Sequence, residues 1–233
     1  MATEGELKKE IESILRTKWV RREGRQVPDT DNVKLGNDAV ELEATVLYAD
    51  LKDSTGLVDG YHDWFAAAVY KVFLATACRI IHDNNGSVTA FDGDRVMAVY
   101  IGDSKNTSAA RTALRLNYAV TKLINPTIKQ IYTTTNLQVQ HCVGIDTSSL
   151  FVARTGIRGS NDLVWVGRAA NYAAKLAELR SGNFVSFITA DAYSLLHDSA
   201  KNGGEPRRSM WEKVMWQEKG TEIYRSSWWW KID

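Results

Sequence analysis

Three stretches gather the side chains that could do chemistry: VLYADLKDST at 46–55, GSVTAFDGDRVMAVY at 86–100 and DLVWVGRAANYAAKL at 162–176. In the first, Asp50 closes a strand-like run, and a carboxylate at a strand end can be held rigidly toward a hard cation. Leu51, Lys52, Asp53, Ser54 and Thr55 follow as a loop whose backbone N–H groups could cradle phosphates. The same residues also fit a plainer pattern, in which Asp50 ends the strand and Asp53 or Ser54 caps a helix. In the second stretch, Asp92-Gly93-Asp94 has the composition of a tight hairpin turn. Carboxylates on adjacent strands can also hold a pair of metal ions. In the third, a short strand turns through Gly167 into a helix bearing Asn171 and, one turn on along the same face, Lys175. Arg168 opens that helix, either as a solvated terminal charge or as a guanidinium for an anion.

These side chains need a scaffold, and the periodicity supplies one. Leu7, Ile11, Ile14, Leu15 and Trp19 form one stripe, which predicts a helical arm over 4–21 that packs on the body or on a partner. Gly24 to Asn37 reads as a loop and 42–49 as a strand, with Val46, Tyr48 and Asp50 on one face. A long helix is predicted from Tyr61 to Ile81. Strands follow at 87–91 and 95–101, then a helix from Ser108 to Leu123 stopped before Pro126. Leu137–Ile145 and Leu150–Ala153 read as strands around a short turn, and Leu163–Val166 leads into a helix at 169–180. Phe184–Ile188 is a strand, 190–196 a short helix, and Trp211 to Trp230 a hairpin. Alternating helices and strands with several hairpin signals make the class α+β or α/β with a mixed sheet.

Composition narrows the function. Lys plus Arg number 29 against 28 Asp plus Glu, so the net charge of +1 lacks the footprint of a nucleic-acid or anionic-membrane binder. In the most apolar window, Trp64 to Ile81, Lys71 and Arg79 interrupt the run, so no membrane helix is expected. The N-terminus has no signal-peptide pattern, and Cys78 and Cys142 make no disulfide framework. A cytoplasmic protein with reduced thiols is expected. His62, His82, His141 and His197 stand at no metal spacing and read as structural. The Trp-rich end reads as core edge or dimer contact.

Together, in this order and with this internal spacing, the three stretches resemble class III nucleotidyl cyclases over roughly residues 42–225. The resemblance implies a ferredoxin-like mixed sheet flanked by helices, with residues 38–233 as the catalytic domain and 1–37 as an N-terminal helix and loop. It implies Asp50 and Asp94 as ligands of two Mg²⁺ or Mn²⁺ ions per active site, with the Leu51 carbonyl beside them. Counting back from Met97-Ala98-Val99-Tyr100 matches Gly93-Asp94 to the family's Gly-Asp and leaves Asp92 as a turn residue or a neighbour of the site. Asn171 matches the residue that orients the ribose. Lys175 stands where the family has a transition-state arginine, which keeps a point charge but loses the planar fork. Arg168 is a second cation that could serve the phosphates. The family's sites lie between two subunits, so a homodimer sharing its active sites is expected.

The base pocket departs from purine cyclases. Ala90 and Val164 stand at the two purine-reading positions, and neither side chain can hydrogen-bond. Tyr48, on the Asp50 face, either fills a smaller pocket while offering a hydroxyl or is an ordinary aromatic strand residue. The chain therefore most resembles the pyrimidine cyclases of the Pycsar anti-phage system. That implies UTP turned to cyclic UMP, a second messenger for a downstream cyclic-nucleotide-binding effector. The alternatives are a cytidylate cyclase making cyclic CMP, a purine cyclase, and a catalytically dead nucleotide-binding dimerisation module.

Overall fold

The computed structural model describes residues 2–179 and 181–232. In chain order, α1 (Glu4–Arg16) and β1 (Val20–Glu23) precede β2 (Asp38–Leu51), α2 (Ser54–Gly60) and α3 (Asp63–Asp83). The hairpin of β3 (Ser87–Asp92) and β4 (Arg95–Tyr100) leads to α4 (Lys105–Tyr118) and α5 (Asn125–Ile131). Next come β5 (His141–Ile157), β6 (Ser160–Val166), α6 (Arg168–Ala177), β7 (Ser186–Thr189), α7 (Ala190–Ser194) and α8 (Asp198–Lys201). The short pair β8 (Asn202–Gly203) and β9 (Arg208–Ser209) is followed by the hairpin of β10 (Glu212–Trp216) and β11 (Thr221–Ser226).

The strand order is β10-β11-β7-β5-β2-β4-β3, with β1 added to β2 and β6 to β5. Pairs β5–β7 and β1–β2 are parallel and the hairpins antiparallel, so the expected mixed sheet is present. The chain divides into two compact units, Met1–Glu43 with Ser149–Gly167, and Ala44–Ser148 with Arg168–Asp233.

In the second unit, alternation along the strands separates two apolar layers. Leu47, Ala49 and Leu51 of β2, Val143 and Ile145 of β5, and Ile188 of β7 join the core of α3 and α4. Cys142, Phe187 and Ile223 instead join Leu176 of α6 and Trp216. Burying each large side chain contributes about 1.5–3 kcal/mol. Because the side-chain period is two, Tyr48 and Asp50 fall on the α6 face. Gly144 lets α6 come close: a Cβ there would lie 2.1 Å from the Ala173 carbonyl oxygen. Helix α3 is long and apolar enough to cross a membrane by length and composition, yet Phe65, Val69, Phe73, Ala77, Ile80 and Ile81 are core residues.

Several elements differ from the sequence expectation, each for a physical reason. The N-terminal helix ends at Arg16 rather than residue 21: Thr17 is extended, and Val20–Glu23 pairs with β2. No residue of α1 is buried, so the stripe Leu7, Ile11, Ile14 and Leu15 is exposed. Pro126 does not stop the next helix. A π-helical turn at Ala119–Ile124 sends the Asn125 N–H to the Val120 carbonyl, and Pro126 sits in the first turn of α5, where its missing N–H costs nothing. The two strands expected around a turn are one strand, β5. Asp146 accepts from Thr189, and Thr147 donates to the Ala44 carbonyl (3.1 Å), so these polar residues stay extended and buried. The turn lies later, between Ile157 and Ser160. The expected helix over 169–180 spans Arg168–Ala177, and Arg180 lies outside the described residues. The C-terminal hairpin is present. After it, the tail folds onto α4, where Asn117 donates to the Ser227 and Trp228 carbonyls and the Trp230 N–H to the Leu114 carbonyl.

Candidate active site

Two cross-strand rows build the α6 face beside Asp50. Asp50 pairs with Arg95, and Arg95 with Asp92; Tyr48 pairs with Met97, and Met97 with Ala90. Cross-strand partners share a face, so Tyr48 and Ala90, the two residues expected near a base, stand in one row. A β-bulge between Val88 and Ala90 sets that register. Asp50 is 5% exposed, and Arg95 Nη2 lies 3.5 Å from its Oδ2 and 3.2 Å from Glu178 Oε1. Burial pushes the Tyr48 phenol pKa up, with Arg95 opposing and Asp92 adding to the rise, so its hydroxyl remains a donor.

Asp94 occupies the turn beside the Asp50 row. Asp92 still pairs with Arg95, so the turn residues are Gly93 and Asp94, and Gly93 takes a φ of +60°. That supplies the left-handed residue a two-residue hairpin needs. Asp94 Oδ2 is buried and has no hydrogen-bond partner among the described residues. A buried carboxylate oxygen of this kind suits a cation. Mg²⁺ and Mn²⁺ accept one or two carboxylates and fill their remaining positions with substrate oxygens and water. The residues therefore fit such an ion, although the described residues hold no group of three or more His, Cys, Asp or Glu around one point.

The loop after Asp50 departs from the expectation. Leu51 is the last residue of β2, and the Lys52 N–H is spent on the Gln140 carbonyl (2.9 Å). Asp53 adopts a left-handed conformation (φ 57°) as the cap residue of α2, without a side-chain cap bond. Ser54, Thr55 and Gly56 open α2, so their N–H groups have no helical acceptor. A cavity of about 310 Å³ borders this loop, lined by Leu51, Lys52, Asp53, Leu57, Tyr61 and Gln138 among others.

On α6, Arg168, Asn171 and Lys175 lie on one exposed stripe, as the spacing predicts. Arg168 is committed within its own chain: Nε and Nη2 hold Asp146 (3.1 and 3.3 Å), Nη2 also reaches the Thr147 carbonyl, and Nη1 holds Asp191 (2.7 Å). Burial raises the Asp146 pKa, and Thr189, Thr147 and Arg168 oppose that rise. Lys175 pairs with Glu218 of the β10–β11 turn (2.8 Å), which raises the Lys175 pKa. Val164 lies on β6 in the first unit, 39% exposed.

Sequence reasoning missed Arg95, Glu178 and Glu218. Arg95 was within reach, because it follows Asp94 directly and stands two residues before Met97, hence on the same face. Glu178 and Glu218 meet their partners only through tertiary folding. His141 is a core residue: it is buried near Phe73, and burial followed by Lys52 pushes its pKa down to about 3.

No family model matches the chain. A uridylate cyclase from Xanthomonas perforans is 49% identical over 235 residues, and the match covers all of both chains. One from Burkholderia cepacia is 48% identical over 236 residues, again covering both chains in full. A third, from a Rhodovulum strain, is 37% identical over 98% of each chain. Among solved structures, the adenylyl cyclase CyaB from P. aeruginosa superposes with a TM-score of 0.64 at 19% identity, covering 84% of this chain and 96% of that one. The guanylyl cyclase Cya2 gives 0.67 at 15% identity, covering 82% and 94%. With near-complete coverage by these relatives and the fold of class III cyclases, the chain belongs to the uridylate cyclase family of nucleotidyl cyclases.

Proposed function

We propose that the chain converts UTP to 3′,5′-cyclic UMP and pyrophosphate, as a cytoplasmic homodimer in bacterial antiviral defence. Its product would act as a second messenger read by a cyclic-nucleotide-binding effector. Residues 38–233 form the catalytic domain in this reading, and 1–37 an N-terminal helix and loop. The observation that carries it is the buried Oδ2 of Asp94, without a partner among the described residues, in the turn next to the Asp50 row. Full-length likeness to uridylate cyclases supports the choice of base.

Asp50 and Asp94, with the Leu51 carbonyl, would hold two Mg²⁺ or Mn²⁺ ions. When bound, such ions supply Lewis acidity at the attacking hydroxyl and neutralise triphosphate charge. The N–H groups that open α2 bind phosphate oxygens. From the second subunit, Asn171 orients the ribose and Lys175 presents its charge to the α-phosphate. All three Arg168 nitrogens are engaged by Asp146 and Asp191, whereas Lys175 makes a single surface pair with Glu218, so Lys175 takes the transition-state role and Arg168 positions the helix. The ribose 3′-oxygen attacks the α-phosphorus in line, the bond to the bridging oxygen breaks, pyrophosphate leaves, and the hydroxyl proton passes to solvent. Tyr48 offers its hydroxyl to a small base, while Ala90 in the same cross-strand row gives a purine no hydrogen-bond partner.

Product analysis with each of the four nucleoside triphosphates, in Mg²⁺ and in Mn²⁺, tests this. Cyclic UMP and pyrophosphate are expected from UTP, a lower rate from CTP, and poor turnover of ATP and GTP. Faster conversion of CTP makes the chain a cytidylate cyclase, and faster conversion of ATP a purine cyclase. Failure to release pyrophosphate from any of them makes the chain a nucleotide-binding dimerisation module.

A further inference from the structure

A second polar cavity, of about 330 Å³, lies where the end of α3, the outer face of α4 and the folded-back tail meet. None of its residues belongs to the Asp50 site. Its walls carry Arg111 and Arg115 of α4, Lys231 of the tail, the Asn84-Asn85 turn, Trp230 and Asp83. Arg111 and Arg115 are four residues apart and share one helix face.

The two guanidiniums are incompletely used. Arg111 donates through Nη2 to Ser199 Oγ (3.1 Å), and Arg115 through Nη1 to Asn84 Oδ1 (3.1 Å). Both Nε atoms are buried without a hydrogen-bond partner among the described residues. Such unmade bonds are costly for a charged donor. Arg115 thus keeps a charged N–H that no acceptor among the described residues satisfies. The tail builds the aromatic wall, with Trp230 anchored by its N–H to Leu114 and lying under the Arg111 guanidinium, 5.7 Å from it. The volume falls at the lower end of the range for small-molecule sites.

We infer that this cavity binds a mononucleotide, its phosphate on Arg111, Arg115 and Lys231 and its base against Trp230. Asp83 decides against a triphosphate: a carboxylate in the wall repels further phosphates and accepts from ribose hydroxyls. The assignment is independent of the proposed cyclase reaction.

Titration calorimetry of the full chain in EDTA with UMP, uridine, inorganic phosphate and UTP tests it. UMP is expected to bind with a dissociation constant of about 1 mM or below. Binding should be at least about tenfold tighter than for each of the other three. Arg115→Gln and the surface change Lys231→Glu should each weaken UMP binding about tenfold or more, while Asp50→Asn should leave it intact. If Arg115→Gln fails to fold, Lys231→Glu alone decides. Wild-type UMP affinity in Lys231→Glu, equal binding of uridine, phosphate or UTP, or loss of binding in Asp50→Asn would each overturn the assignment.

Discussion

Asp94→Ala should make the metal-free protein more stable while destroying its activity. In the folded chain, Asp94 Oδ2 is buried with no partner among the described residues. An unsatisfied buried polar atom costs about 1–3 kcal/mol. Because the residue as a whole is half-exposed, the lower end applies, about 1 kcal/mol. In a chain of this length, that corresponds to a melting temperature about 2–4 °C higher. Divalent cations should reverse the order. A ligand at a hundred times its dissociation constant stabilises by about 2.7 kcal/mol, and the variant should lose most of that gain. Turnover of UTP should fall at least about a hundredfold, the scale of losing one electrostatic stabiliser. Thermal melts in EDTA and in Mn²⁺, run beside a pyrophosphate-release assay, read all three effects. Asp92→Asn is the control: Asp92 ends β3, so its activity should stay near that of the parent. An Asp94→Ala chain that melts lower in EDTA refutes the strain argument. One that keeps activity while Asp92→Asn loses it refutes the assignment of the turn.

Three further outcomes are expected. Mixing Asp50→Ala and Lys175→Ala chains should restore about a quarter of parental activity, since half the dimers are mixed and each has one intact site. No rescue despite demonstrated subunit exchange would place the whole site in one chain. Tyr48→Ala should lower UTP turnover about tenfold through the loss of a single base contact. An unchanged UTP-to-ATP rate ratio would remove Tyr48 from base selection. His141 stays neutral in the folded chain, with its pKa down at about 3, while the unfolded chain binds a proton below its ordinary value of 6.5. Its contribution to stability is therefore complete above pH 6.5 and lost as pH falls toward 3, about 2 kcal/mol of it by pH 5. Urea unfolding at pH 7.5 and 5 should show this slope in the parent and lose it in His141→Gln.

What was legible in the chain alone was whatever depends on short-range periodicity. The two-residue alternation through Val46, Tyr48 and Asp50 placed those residues on one strand face, and the 3.6-residue period put Asn171 and Lys175 on one exposed helix stripe. Gly93-Asp94 announced its turn, because only a few residue types favour that backbone. The mixed sheet followed from the order of such segments. Features set by distant partners were not legible. Asp146 and Thr147 look like turn formers, and only Thr189, Arg168 and the Ala44 carbonyl keep them extended inside β5. Pro126 looks like a helix stop until a π-helical turn absorbs it. Arg168 and Lys175 appear equally available as phosphate ligands, yet folding spends the first on Asp146 and Asp191 and sets the second against Glu218. The sequence could name the charged groups. Which of them were already neutralised depended on contacts between segments far apart in the chain, and those exist only once the sheet has brought the segments together.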